Sequence, residues 1–191
     1  MSAFGYHLEK SSYVKQFNAE TKLWVPMQVV EGHRPSLALF PRLGFFNRKV
    51  TELLRTRLLM GQLVPPTMAW TLGYLMPEPR QTEWLFEPTQ ASIAASVETV
   101  VAALETYGTP AMTSYPNVKA LLPWAEDPIN VDRHAQVFQR ELVRAIVYFL
   151  NDASAVALQI VNRTLDEGRS RNDLDDPSYA PYLRFRTLLG T

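Results

Sequence analysis

Through the first third of the chain apolar and polar residues alternate. Through most of the remainder apolar residues recur every three or four positions. Thr21 to Val30 sets Leu23, Val25, Met27 and Val29 on one side and Lys22, Trp24 and Gln28 on the other, the period of a strand with one buried face. Ser12 to Phe17 predicts a shorter strand before it. Asn18-Ala-Glu joins the two, because an asparagine side chain can bond its own backbone in a turn. Pro26 has no N–H to give to a ladder, which predicts a sheet edge or a bulge at that point. After a turn at Glu31-Gly-His33, Leu37, Leu39 and Leu43 line one face, with Ser36, Ala38, Phe40 and Arg42 opposite. Three such strands in succession predict an antiparallel meander.

The period then changes. Val50, Leu53, Leu54 and Leu58 form the apolar stripe of a helix opening at Asn47, and Pro65-Pro66 cannot continue it. Met68 to Tyr74 alternates again and predicts a fourth strand; Trp84 to Phe86 makes a short fifth. From Thr89, Ile93, Val97, Val100, Val101 and Leu104 follow helical spacing, with Gly108 as a stop signal. Prolines break 109–124 into short helical turns. Asp132 to Leu150 predicts a long helix with Phe138, Leu142, Ala145, Ile146 and Phe149 on its apolar face. Another helix, Ser154 to Glu167, is predicted to stop at Gly168. The polar run 169–176 reads as a mobile surface loop, and the aromatic tail from Tyr179 to Leu189 is expected to dock back onto the core. The pattern predicts a single α+β domain over residues 1–191. About five antiparallel strands carry helices packed mainly on one face, with a C-terminal helical subdomain. Residues 1–88 are mostly sheet with one helix, and 89–191 mostly helical.

Composition narrows the possibilities. A chain of 191 residues with 47% hydrophobic content can bury roughly 70% of its unfolded surface, enough for a core without staples. Cysteine is absent, which removes disulfides, thiolate nucleophiles and cysteine-ligated metals. The opening residues carry no basic and apolar signal pattern, and no apolar run nears the ~20 residues of a membrane helix. A cytoplasmic protein with no membrane partner is expected. Net charge is zero, from 19 basic and 19 acidic residues, but unevenly spread. Residues 1–66 hold nine Lys/Arg against four Asp/Glu, and 81–135 hold two against seven. Such asymmetry either marks an electrostatic partner or balances two faces of one domain. Nucleic-acid binders show denser basic patches, so none is expected here.

Local catalytic signatures are missing. His7, His33 and His134 fall in different elements without paired spacing and read as turn or solvated residues. Asp173, Asp175 and Asp176 form the densest carboxylate cluster. Counting twelve positions from Asp173 puts Ser178 and Arg184 where a calcium loop needs glycine and glutamate. Arg169 and Arg171 are expected to neutralise that cluster, and no metal or cofactor is expected. The glycines make no phosphate-binding loop. Trp70 and Trp84 share strand faces with apolar residues and read as core. Trp24 alternates onto the polar side with Lys22 and Gln28, as an interface anchor or under a covering helix.

The order of elements resembles a group of small bacterial proteins known only as a domain of unknown function. The likeness runs over about residues 5–123 and rests on Phe40-Pro-Arg-Leu-Gly44, Leu72-Gly-Tyr-Leu-Met-Pro77, Trp84, Gly108-Thr-Pro110 and Tyr115-Pro116. Those proteins are α+β domains with a curved antiparallel sheet, and some accompany toxin systems as immunity-type proteins. The resemblance transfers no catalytic or binding residue. It implies a non-enzymatic protein-binding module, an inhibitor of a bacterial toxin. On that reading the free sheet face binds through Lys22, Trp24, Gln28 and Arg42. Two alternatives stand beside it: a small enzyme with its site between sheet and helices, and a structural subunit that self-associates.

Overall fold

The computed structural model describes residues 7–9, 12–33, 36–59, 64–128, 135–137 and 139–190. It is an α+β fold with an open antiparallel sheet. The described residues divide into two compact units. One draws on Met1–Phe46, Met68–Pro116 and a short piece at Gln136, the other on Asn47–Thr67, Asn117–Arg133 and Val137–Thr191.

The first unit holds the sheet. Strands β1 (His7–Glu9), β2 (Ser12–Gln16), β3 (Thr21–His33), β4 (Ser36–Asn47) and β5 (Met68–Thr71) lie in sequence order, and β6 (Trp84–Phe86) pairs with β4. The expected meander is present, with β1 added at its start. Asn18 makes the expected turn: its side-chain oxygen accepts the N–H groups of Glu20 and Thr21. No bulge interrupts the register from Gln16↔Lys22 to Ser12↔Pro26. Pro26 sits opposite Ser12 on the last described rung of that ladder, so its missing N–H breaks no run of described pairs on the β2 side.

One face of this sheet is the core. Leu23 and Val25 of β3, Leu43 and Phe45 of β4, and Met68 and Trp70 of β5 are all fully buried. Register keeps them together, since Leu43 lies opposite Trp70 and Phe45 opposite Met68. A helical run covers that face. Helix α2 (Gln90–Ala103) passes through a wide turn (Leu104–Gly108) into α3 (Thr109–Thr113). Tyr115, just beyond, stacks on Trp70 at 6.4 Å and tilts against Phe45 at 6.0 Å. Lys15 shares this face through its partner Leu23, and its ammonium reaches Glu105 at 3.3 Å. Its stem lies along apolar surface while its charge stays at the rim.

Several expected boundaries move. Gly108 does not end the helix. Its φ is −74°, an ordinary helical value, and a Cβ there would lie 2.5 Å from Leu43 Cδ2. This glycine permits close helix-to-sheet approach. In the same turn the Thr109 N–H bonds Leu104 five residues back, a widening that accommodates Pro110. Ile93 stands 42% exposed, and full burial of α2 begins only at Val100. The fourth strand ends at Thr71 rather than Tyr74. Leu72–Leu75 winds into a 3-10 turn, with the Gly73 carbonyl accepting the Arg80 N–H.

The second unit is helical. Asn47 closes β4 and caps α1 (Arg48–Leu53), its side-chain oxygen accepting the N–H groups of Lys49 and Val50. A π turn, Leu54–Leu58, extends α1. Short helical turns at Lys119–Leu121 and α4 (Leu122–Glu126) precede α5 (Arg140–Phe149). The long helix expected from Asp132 begins only at Arg140. Gln139 before it has a left-handed backbone (φ 46°), and the backbone of Gln136 exchanges both hydrogen bonds with Ala69. Phe138 and His134 lie outside the described residues.

Helix α6 (Ser154–Arg171) runs three residues past the expected stop. At Gly168 a Cβ would fall 2.7 Å from the Tyr179 ring, and the real terminator is Asn172 at φ 60°. The left-handed residue that ends a helix is often glycine, sometimes asparagine. Part of the run expected as a loop is therefore helix. Arg169 pairs within α6 with Asp166 at 2.5 Å. The tail does dock, as α7 (Ala180–Leu188). Phe185 is fully buried edge-on against Phe149 at 5.7 Å, and Arg184 donates to the Leu58 carbonyl. Arg144 clamps the unit by donating to Ala125 and to both oxygens of Glu141, which also accepts from Arg163.

Candidate partner-binding face

Opposite the core face, the sheet carries the even-numbered positions of β3 and β4. Lys22 begins this row on β3 and is half-buried, its ammonium 5.3 Å from the centre of the Phe46 ring. A cation over a ring face gains roughly 0.5–1 kcal/mol at an accessible site, which holds Lys22 toward β4. Trp24 occupies the register position opposite Val14, one pleat along the same row. Gln28 lies further along β3. The side chains of Trp24 and Gln28 are outside the described part of the structure.

Arg42 sits mid-way along β4, opposite Thr71 of β5. It is exposed, and its guanidinium makes no hydrogen bond or ion pair with another described residue. Phe40 and Phe46, two and four residues away on the same side, are half-buried. Leu85 of β6 joins this row through its partner Ala38 and is 56% exposed. Alternation along β4 already grouped Phe40 with Arg42; Phe46 joins because β4 runs on to Asn47, and Leu85 only through the ladder register. The face is not uniformly open, since Val14 and Ala38 are buried within it. What it presents is a forked cation among apolar and aromatic groups, a composition found in protein interfaces.

Other candidate chemistry disperses. A depression of about 250 Å³ is lined by Met76, Pro77, Glu78, Arg80 and Thr82, where Glu78 faces Arg80 at 3.7 Å and both are well exposed. His7 is exposed on β1. Of the aspartates, Asp176 caps the turn that follows it: the Ser178 N–H donates to its carboxylate and holds its pKa below the ordinary value. Among the described residues no group of three or more His, Asp or Glu side chains is placed to hold a metal ion. Among the described residues no helix is long and apolar enough to cross a membrane. No protein-family model, curated protein or solved structure matches the chain.

Proposed function

We propose that this chain is a protein-binding module that presents the Lys22–Arg42 face of its sheet to a partner protein. The observation that carries this reading is Arg42: an exposed guanidinium on β4, without a described partner and flanked by half-buried Phe40 and Phe46. Arginine on a rigid strand loses little geometric freedom when it meets a carboxylate, because its donors already form a planar fork. Trp24 and Gln28 extend the same row along β3. The partner implied by the resemblance to immunity-type proteins is a bacterial toxin.

The test uses the full chain as bait, with candidate toxins encoded beside its gene as prey. Arg42→Ala and Leu85→Asp should leave the melting temperature unchanged. At a central position such a change weakens binding by about thirtyfold or more. Trp24→Ala is measured for melting temperature and affinity together. A sharp fall in melting temperature assigns Trp24 to the core. Unchanged affinity in all three variants, with the fold intact, rejects the face.

A further inference from the structure

Helix α1 and its π turn carry a second surface with the marks of a binding site. Over Arg48 to Leu58 the buried positions are Val50, Leu54 and Leu58, and the opposite side shows Arg48, Lys49, Arg55 and Arg57 to solvent. Only one carboxylate, Glu52, interrupts them. Arg48, Arg55 and Arg57 hold no ion pair or side-chain hydrogen bond with any described residue.

Two features set this apart from an ordinary solvated helix. Arg48 and Lys49 occupy the first turn, which contains no acidic residue. Cations there oppose the helix dipole, which favours carboxylates at that end. Arg48 breaks that local rule with no described partner in return, which points to function. The second feature is the π turn, sealed by the Leu59 N–H to the Leu54 carbonyl at 2.7 Å. The wider turn carries Arg57 away from the Leu54–Leu58 stripe, so that Arg55, Thr56 and Arg57 are exposed in succession. Such insertions recur at functional sites. The platform is held at both ends. Asn47 caps the start and receives support from Thr67, whose hydroxyl oxygen accepts the Asn47 N–H at 3.0 Å, while Arg184 donates to the Leu58 carbonyl at the finish.

We infer that the exposed side of α1 docks an acidic patch on a folded partner protein. This surface is separate from the sheet face and does not depend on it. Charge complementarity selects the partner's chemistry, since unpaired guanidinium forks match carboxylates two at a time. The same cations are less suited to a polyanion. The chain is neutral overall, with 19 basic and 19 acidic residues, so it offers a nucleic acid no long-range attraction. Glu52, standing between Arg48 and Arg55, would repel a continuous row of phosphates but can meet a lysine or arginine of a patterned protein surface. A lipid surface finds no apolar stripe, because Val50, Leu54 and Leu58 are already buried.

The full chain is titrated at low and at physiological salt with three labelled probes. These are a glutamate-rich helical peptide, a DNA duplex, and vesicles of phosphatidylserine and phosphatidylcholine. The peptide should bind most tightly and weaken with salt. The triple reversal R48E, R55E and R57E should weaken it by about tenfold or more. Arg48→Glu alone should raise the melting temperature slightly, since it suits the dipole, while lowering peptide affinity; opposite signs separate docking from loss of fold. Tighter binding of the duplex or the vesicles overturns the inference. So does absence of peptide binding at low salt, or affinity unmoved by the triple reversal.

Discussion

Gly108→Ala separates two meanings of a helical glycine. If Gly108 simply ended a helix, alanine would extend that helix or strain a left-handed residue. The structure gives Gly108 a helical φ of −74° and places Leu43 Cδ2 2.5 Å from where an alanine Cβ would sit; the next neighbours, Leu104 and Leu72, lie at 3.6 and 3.7 Å. Backbone preference alone favours alanine by about 0.5–1 kcal/mol. Overpacking a full core costs about 1–3 kcal/mol, and Leu43 is fully buried, with little room to turn aside. The difference is a loss of about 0.5–2 kcal/mol, or a melting temperature lower by roughly 1–8 °C for a chain of this size. Leu43→Val removes the colliding methyl. In that background Gly108→Ala should instead stabilise by about 0.5–1 kcal/mol. Urea denaturation of the four proteins completes the cycle, with a coupling of about 1–3 kcal/mol between the two sites. A stabilising effect in the native background, or the same sign in both, would refute the steric reading.

Two further perturbations test the helical unit. Asn47→Ala removes the acceptor for the Lys49 and Val50 N–H groups at a fully buried position, and should cost about 1–2 kcal/mol in urea denaturation, whereas Asn47→Asp retains the acceptor. Tyr182 is buried and its phenol is pushed up from 10.0 to about 12, chiefly by loss of solvation. A raised acid favours the neutral form in the folded state. Its contribution is therefore complete below pH 10 and lost as pH rises from about 10 to 12. Tyr182→Phe should flatten the fall in stability across that window, and an unchanged slope would count against burial of the hydroxyl.

Period-two and period-3.6 patterns identified most elements because burial of one face acts on every residue of an element at once. Leu23, Val25, Leu43 and Trp70 are buried where alternation placed them. The Asn18 turn was also readable, since a short side-chain acceptor bonds N–H groups two or three residues away whatever lies further off. On the candidate face, Lys22 and Arg42 followed from alternation within their own strands. Leu85 did not, because its place beside Ala38 depends on how β6 registers against β4. The same limit explains the misplaced boundaries. Gly108 and Gly168 resemble stop signals, but Leu43 and Tyr179, distant or downstream in the chain, are what require glycine there. Helix α5 starts at Arg140 because Gln136 is taken up by Ala69, 67 residues earlier. A pattern records what a residue prefers among its neighbours in sequence. Which distant side chain fills the space beside it is decided only when the chain packs.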